Sequence, residues 1–193
     1  GESISSYLLT GAIQNAVNMP SLDAKTYDKV KPYLTLGQKL GRLVSQLAPQ
    51  QNDRLVITFG GKATEVPSDP IARFILTGFL ASAGGANVNQ INAKAMAESL
   101  GILVELVKSS EETDFNEWLH VAAFKGEKKT SAGGTFFSAQ MNPRIVRLDG
   151  QPVEIDPKGV VCLIKNKDRP GIVGHLGGIL AKHKINIANM SLH

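Results

Sequence analysis

A chain of 193 residues with 42% hydrophobic and 20% charged side chains has the makeup of an ordinary globular protein, long enough for one or two small domains. No apolar run approaches the roughly 20 residues of a membrane-spanning helix. The opening Gly1-Glu2-Ser3 lacks the basic-then-apolar pattern of a secretory signal, so we expect a cytoplasmic protein with no membrane partner. A single cysteine, Cys162, excludes an internal disulfide and fits a reducing compartment. The chain does not begin with methionine, and we expect it to be cut from something longer.

Charge is unevenly placed. Residues 1–158 balance 16 basic against 16 acidic side chains, so the formal +4 sits in residues 159–193, where Lys165, Lys167, Arg169, Lys182 and Lys184 face Asp168 alone. These cations are spread over a strand, a turn and a helix end, with no aromatic ring among them for base stacking. A solvated basic surface is therefore expected, and no nucleic-acid partner.

In chain order, residues 5–16 read as a short helix, closed by Asn18-Met19-Pro20 because Pro20 biases Met19 away from helix. Ser21-Leu22-Asp23 opens a new element. Tyr33, Leu36, Leu40, Leu43, Val44 and Leu47 then follow one helical face. Gly37 and Gly41 interrupt that helix at about 1 kcal/mol each relative to Ala, which predicts a neighbour packed against them. Residues 54–60 alternate as a strand. Asp69-Pro70 predicts a helix start with a capping carboxylate, a stripe of Ile71, Phe74, Ile75 and Phe79, and a stop at Gly84-Gly85. Asn92 is expected to cap a third helix that ends at Gly101. The period then changes from 3.6 to 2, giving strands at 102–108, 117–125 and 129–137 and a hairpin of 145–148 and 153–155 around Asp149-Gly150. Pro157-Lys158-Gly159 is the best boundary. Beyond it residues 160–164 and 185–192 read as strands flanking a helix with Ile172, Leu176, Ile179 and Leu180 on one face. Two strands and a helix cannot close a core, so this last module should be incomplete.

Catalytic patterns are missing. The nearest approach to G-x-G-x-x-G is Gly171, Gly174, Gly177 and Gly178, with the wrong spacing and a preceding proline. His120, His175, His183 and His193 are scattered and read as surface or strand residues, with no metal site. Cys162 alternates within an apolar strand, which predicts a buried, inert thiol. Asp114 and Glu117 have no evident acid–base partner. The informative cluster is Asn166-x-Asp168-Arg169-Pro170-Gly171 with Asn186. There a strand ends in polar side chains beside a helix N-terminus whose amides favour a carboxylate. That mixture of donors and acceptors suits an amino acid, and it equally suits a self-capped β-α turn.

Residues 164–193, IKNKDRPGIVGHLGGILAKHKINIANMSLH, resemble the first half of an ACT domain, an amino-acid-sensing module. The D-R-P-G turn followed by a helix ending in I-N-I-A is similar to the ACT domain of long-form D-3-phosphoglycerate dehydrogenases. Upstream, YLLTGAIQNAVN (residues 7–18) resembles the end of that enzyme's catalytic part. Gly133-Gly134-Thr135-Phe136-Phe137, Arg144-Ile145-Val146-Arg147 and Asp149-Gly150 resemble its intervening, allosteric substrate-binding domain.

The resemblance implies an α+β fold with a helix-plus-antiparallel-sheet intervening domain. Its parts would be residues 1–20 as catalytic tail, 21–157 as intervening domain, and 158–193 as a partial ferredoxin-like (ACT) β-α-β unit. It implies L-serine at Asn166, Asp168 and Asn186, and homo-oligomers through the ACT and intervening domains. A phosphorylated ligand is implied at Arg144, with Arg147 and Lys158 nearby, although Gln151 and Asp156 stand where some relatives carry arginine. NAD and the catalytic residues would belong to the upstream part of the parent enzyme, leaving no catalytic residue and no bound cofactor in this chain. The regulatory β subunit of bacterial L-serine dehydratase shares the arrangement, but the dehydrogenase-like tail at residues 7–18 speaks against it. A free-standing amino-acid-binding ACT module is the third reading.

Overall fold

The computed structural model describes residues 24–48, 51–81, 87–165, 167 and 169–192. The expected helix at 5–16 and the stop at Gly84-Gly85 lie outside them. The chain divides into two compact units, Gly1–Asp156 and Pro157–His193.

In the first unit, helix α1 (Ala24–Leu47) begins well before Pro32 and carries that proline inside it. Proline forfeits one helical hydrogen bond. The turn preceding it brings in Val30, which is fully buried alongside Leu36, Leu40 and Val44. Strand β1 (Arg54–Gly61) buries Leu55, Ile57 and Phe59 completely, as the alternation requires. A 3-10 turn (Lys62–Thr64) leads to α2 (Ser68–Leu80), and α3 (Ala93–Ser99) follows. Strands β2 (Leu103–Ser109), β3 (Glu117–Lys125), β4 (Lys128–Phe137), β5 (Asn142–Leu148) and β6 (Gln151–Ile155) complete the unit.

The six strands form one sheet in the order β2-β1-β3-β4-β5-β6. All neighbours are antiparallel except β1 and β2, which run parallel across a crossover formed by α2 and α3. The fold is thus α+β. The single parallel pair differs from the expected all-antiparallel sheet, because β1 precedes the helices and pairs with a strand that follows them.

Two expected caps take other roles. Asp69 lies within the first turn of α2, and its carboxylate accepts from Arg73 Nε at 2.8 Å and from Lys94 of α3. Arg73 also donates to the carbonyls of Gln90 and Ile91, at 3.2 and 3.5 Å, so the cluster ties α2 to the start of α3. Burial alone would raise the Asp69 pKa, but hydrogen bonds from Arg73 and Lys94, and their charges, outweigh it and hold it below the usual value. Asn92 precedes α3, yet its side chain turns back to the Asn89 amide and the Asn87 carbonyl. At the other end Gly101, at φ 72°, donates to Glu98 O while Ile102 donates to Ala97 O, the paired bonds of a Schellman stop. The 149–150 turn has φ 47° at Asp149 and 82° at Gly150, as a tight hairpin needs.

The helices meet through small residues. A Cβ at Gly41 would come within 2.1 Å of Ile75 O, and one at Gly78 within 2.1 Å of Gln38 O. Gly37 faces Ile75 in the same seam, where a Cβ would sit 2.9 Å from Cγ1. The expected packing against Gly37 and Gly41 is therefore present, and the neighbour is α2. On the sheet side, a Cβ at Gly134 would lie 2.7 Å from Leu36 Cδ1, so α1 rests on β4 with no side chain between.

In the second unit, helix α4 (Ile172–Lys182) starts after Gly171 at φ 88°. No residue of α4 is buried. The expected strands 160–164 and 185–192 do not form, and Cys162 is exposed instead of buried. A strand exists only as one side of a hydrogen-bonded ladder, and among the described residues these segments form no ladder. Ile185 and Leu192 are accordingly 55% and 71% exposed.

Substituting Gly41→Ala places a methyl group against backbone that cannot rotate away, and should cost at least ~2 kcal/mol. Thermal unfolding should fall by roughly 5–10 °C. An unchanged melting temperature would contradict the close helix contact.

Candidate functional site

The face of the sheet turned away from α1 carries a row of residues fixed by register: Thr58 on β1, His120 on β3, Gly133 on β4 and Arg147 on β5. A bulge between Gly133 and Gly134 shapes one end of the row. Ile145 and Leu148 both face the core, so the extra residue leaves Val146 and Arg147 together on the open side. Lys129 and Ser131 share that face with Gly133 by strand alternation. Together with Trp118 they line a hollow of about 410 Å³. The loop after β2 supplies Glu111, and the hairpin turn supplies Asp149.

Glycines make the room. A Cβ at Gly133 would stand 3.3 Å from Arg147 Cβ and 3.5 Å from His120 Cδ2. At Gly60 it would fall 1.9 Å from Cε2 of Trp118, whose indole lies across that glycine. Among the described residues, the buried Trp118 Nε1 has no hydrogen-bond partner. Behind the sheet edge, Tyr33 of α1 donates to the Glu117 carboxylate and packs edge-to-face on Phe136, with centroids 5.1 Å apart. Burial, then the bond to Glu117 and nearby negative charge, push the Tyr33 hydroxyl well above the ordinary range. Glu117 is thus a structural acceptor.

His120 has the most informative electrostatics. Burial first, and then the charges of Lys129 and Arg147, push it down to about 4. It stands neutral near pH 7, with two cations close by.

The residues singled out in the sequence fare differently. Asn166 and Asp168 lie outside the described residues, while Asn186 is exposed. Arg144 forms an ion pair with Asp156 at 3.2 Å, donates to Pro143 O at 2.9 Å and lies 5.7 Å over the Phe137 ring. It does not line the hollow. Lys158 belongs to the second unit and is exposed. Of the three expected anion-binding residues, only Arg147 enters the hollow, beside His120 and Lys129. Lys129 and Trp118 gave no motif. Their signal was alternation along β3 and β4, and it required the strand pairing to be read.

Among the described residues no group of three or more His, Cys, Asp or Glu side chains could hold a metal ion, and no helix is long and apolar enough to cross a membrane. Gly174, Gly177 and Gly178 lie inside α4, and among the described residues no strand leads directly into Gly171 as a dinucleotide-binding turn requires.

The fold and this sheet face define an α+β domain whose mostly antiparallel six-stranded sheet is backed by helices on one side and bears a polar hollow on the other. Residues 29–149 match the family model of the D-3-phosphoglycerate dehydrogenase intervening domain, and the chain belongs to that family. It is 33% identical over 192 residues to D-3-phosphoglycerate dehydrogenase of Synechocystis, covering 99% of this chain and 34% of that protein. The Methanocaldococcus jannaschii and Bacillus subtilis proteins of the same name are 32% and 28% identical, over 99% and 93% of this chain and 36% and 34% of their own length. The chain spans about a third of the length of these relatives.

The His120 environment makes a pH prediction. Unfolded, the imidazole titrates near 6.5, while in the fold it titrates near 4. Between those values the unfolded chain binds a proton that the native chain refuses, so stability falls as pH drops through this window and is unaffected above it. The limit is ~3 kcal/mol, reached near pH 4. His120→Gln should flatten the dependence of melting temperature on pH between 6.5 and 4. An identical slope in wild type and variant would refute a buried, neutral His120.

Proposed function

We propose that this chain is a regulatory portion of an NAD-dependent D-3-phosphoglycerate dehydrogenase, the enzyme that oxidises 3-phosphoglycerate to 3-phosphohydroxypyruvate at the entry to L-serine synthesis. The observation that carries this reading is the family match over residues 29–149, extended by relatives aligned along nearly the whole chain. Oxidation of the substrate and binding of NAD belong to other parts of the enzyme. The chain itself is non-catalytic and senses effectors. L-Serine is held by Asn166 and Asp168, which precede α4 in the sequence, and by Asn186, which follows it. A phosphorylated effector is drawn to the basic side chains of the intervening domain, with Arg144 and Arg147 as the assigned contacts there; Lys158, assigned with them from the sequence, belongs to the second unit.

Self-association fits the second unit's physics. Val160, Ile164, Ile185 and Leu192 are between 50% and 100% exposed, and segments of strand-like composition that form no ladder among the described residues gain hydrogen bonds by pairing with another copy. The proposed assembly is a homo-oligomer through the ACT and intervening domains.

Calorimetry of L-serine binding to the full-length protein tests the sensing role. Asp168→Ala and Asn186→Ala should each weaken binding by roughly 1–3 kcal/mol, the cost of losing a buried polar contact. Unchanged affinity in both variants would remove the pocket. In a parallel assay with 3-phosphoglycerate and NAD, the isolated chain should give no nicotinamide reduction, and turnover would overturn the non-catalytic assignment.

A further inference from the structure

We propose that the outer edge of β2 is a self-pairing surface, on which a second copy of this chain lays its own β2 antiparallel, so that two six-stranded sheets run on as one. The assembly named above supplies only the identity of the partner, a second copy. The edge and its register come from the strand itself.

The sheet has two edges, and one of them is guarded. β6, at one end of the strand order, has five residues, carries Pro152 and Glu154, and meets β5 with a register shift. Short length, proline, charge and irregularity are devices that keep an edge from pairing. β2, at the other end, has seven residues in unbroken register with β1 and contains no proline. Leu103, Leu106 and Val107 are 60%, 43% and 41% exposed along it. Its two charged side chains are engaged within the chain. Glu105 pairs with Arg54 of β1 at 3.7 Å, and Lys108 Nζ donates to Thr64 O at 2.7 Å.

One hydrogen bond fixes which backbone groups face outward. The Leu103 amide donates to Asp53 O at 2.9 Å, on the β1 side. In a parallel ladder alternate residues bond to the same neighbour, so Glu105, Val107 and Ser109 turn the same way. Val104, Leu106 and Lys108 therefore direct both N–H and C=O to the outer edge, where among the described residues no strand receives them. Such a row is a template for strand addition.

The sequence of β2 is its own complement. A two-fold axis through Leu106 sets Leu106 opposite Leu106, Val104 opposite Lys108, Leu103 opposite Ser109 and Glu105 opposite Val107. All of β2 then overlaps, every outward N–H meets an outward C=O, and no like charges stand opposite. An axis through Glu105 would set two carboxylates face to face, which destabilises a pair. An axis through Val107 would leave Val104 beyond the end of the partner strand. The contact also closes on itself. Each copy uses its unguarded edge and leaves only β6, so the product is a dimer and not a fibre.

Cysteine cross-linking in the full chain tests the register, in a Cys162→Ser background because Cys162 is exposed. Opposed Cα atoms in a hydrogen-bonded antiparallel pair lie about 5.5 Å apart, within disulfide reach. Leu106→Cys should therefore give a covalent dimer on mild oxidation with diamide. Leu103→Cys alone should not, since its two copies would stand roughly 20 Å apart along the strands, but mixed with Ser109→Cys it should. Glu154→Cys on β6 should stay uncoupled. Sedimentation velocity of the untreated chain gives its oligomeric state independently, and circular dichroism checks the fold of each variant.

A dimeric sample with no covalent product at Leu106→Cys would overturn β2 pairing and leave the homo-oligomer reading standing. A monomeric sample with no product would overturn both. Equal products at Leu106→Cys, Leu103→Cys and Glu154→Cys, the mark of random collision, would overturn the register and the proposal with it.

Discussion

The backbone contact between α1 and α2 governs the arrangement of the first unit. At Gly41 and Gly78 each helix presents a bare backbone to a carbonyl of the other, and a methyl group would not fit at either place. Each glycine costs helix propensity. In return the helices approach closely enough for Ile71, Ile75, Leu36 and Leu40 to be fully buried. Because α1 also presses on Gly134 of β4, one helix pair covers a six-stranded sheet from a single side. Within the described residues of the first unit no helix covers the other side, and the polar hollow lies there.

The same sheet therefore has two economies. On the helix side, apolar residues from β1, β3, β4 and β5 form one continuous core. On the open side, the row through Thr58, His120, Gly133 and Arg147 mixes hydroxyl, imidazole, bare backbone and guanidinium. The bulge in β5 separates these roles, turning Arg147 outward without removing Ile145 or Leu148 from the core. Arg144, three residues earlier, is spoken for by Asp156. Basic residues close in sequence thus end with different electrostatic freedom.

The second unit shows what happens when periodicity lacks partners. Helix α4 satisfies its hydrogen bonds internally and forms from local sequence alone. Segments 160–164 and 185–192 have strand-like composition but form no ladder among the described residues, and many of their apolar side chains stay exposed. Family membership rests on the first unit, whose matched residues run from 29 to 149.

The sequence by itself determined the elements whose signals are local. The stripe from Tyr33 to Leu47, the alternation in β1 and β3, the stop at Gly101, the Asp149-Gly150 turn and the demand for a neighbour at Gly37 and Gly41 were all legible, because each depends on residues a few positions apart. Tertiary structure alone decided which neighbour that was, that β1 and β2 run parallel, and that Asp69 serves Arg73 and Lys94 instead of capping its helix. It also decided that His120, an unremarkable strand histidine in the sequence, meets Lys129 and Arg147. Those outcomes depend on strand order and register, which join residues far apart in the chain and leave no periodic trace along it.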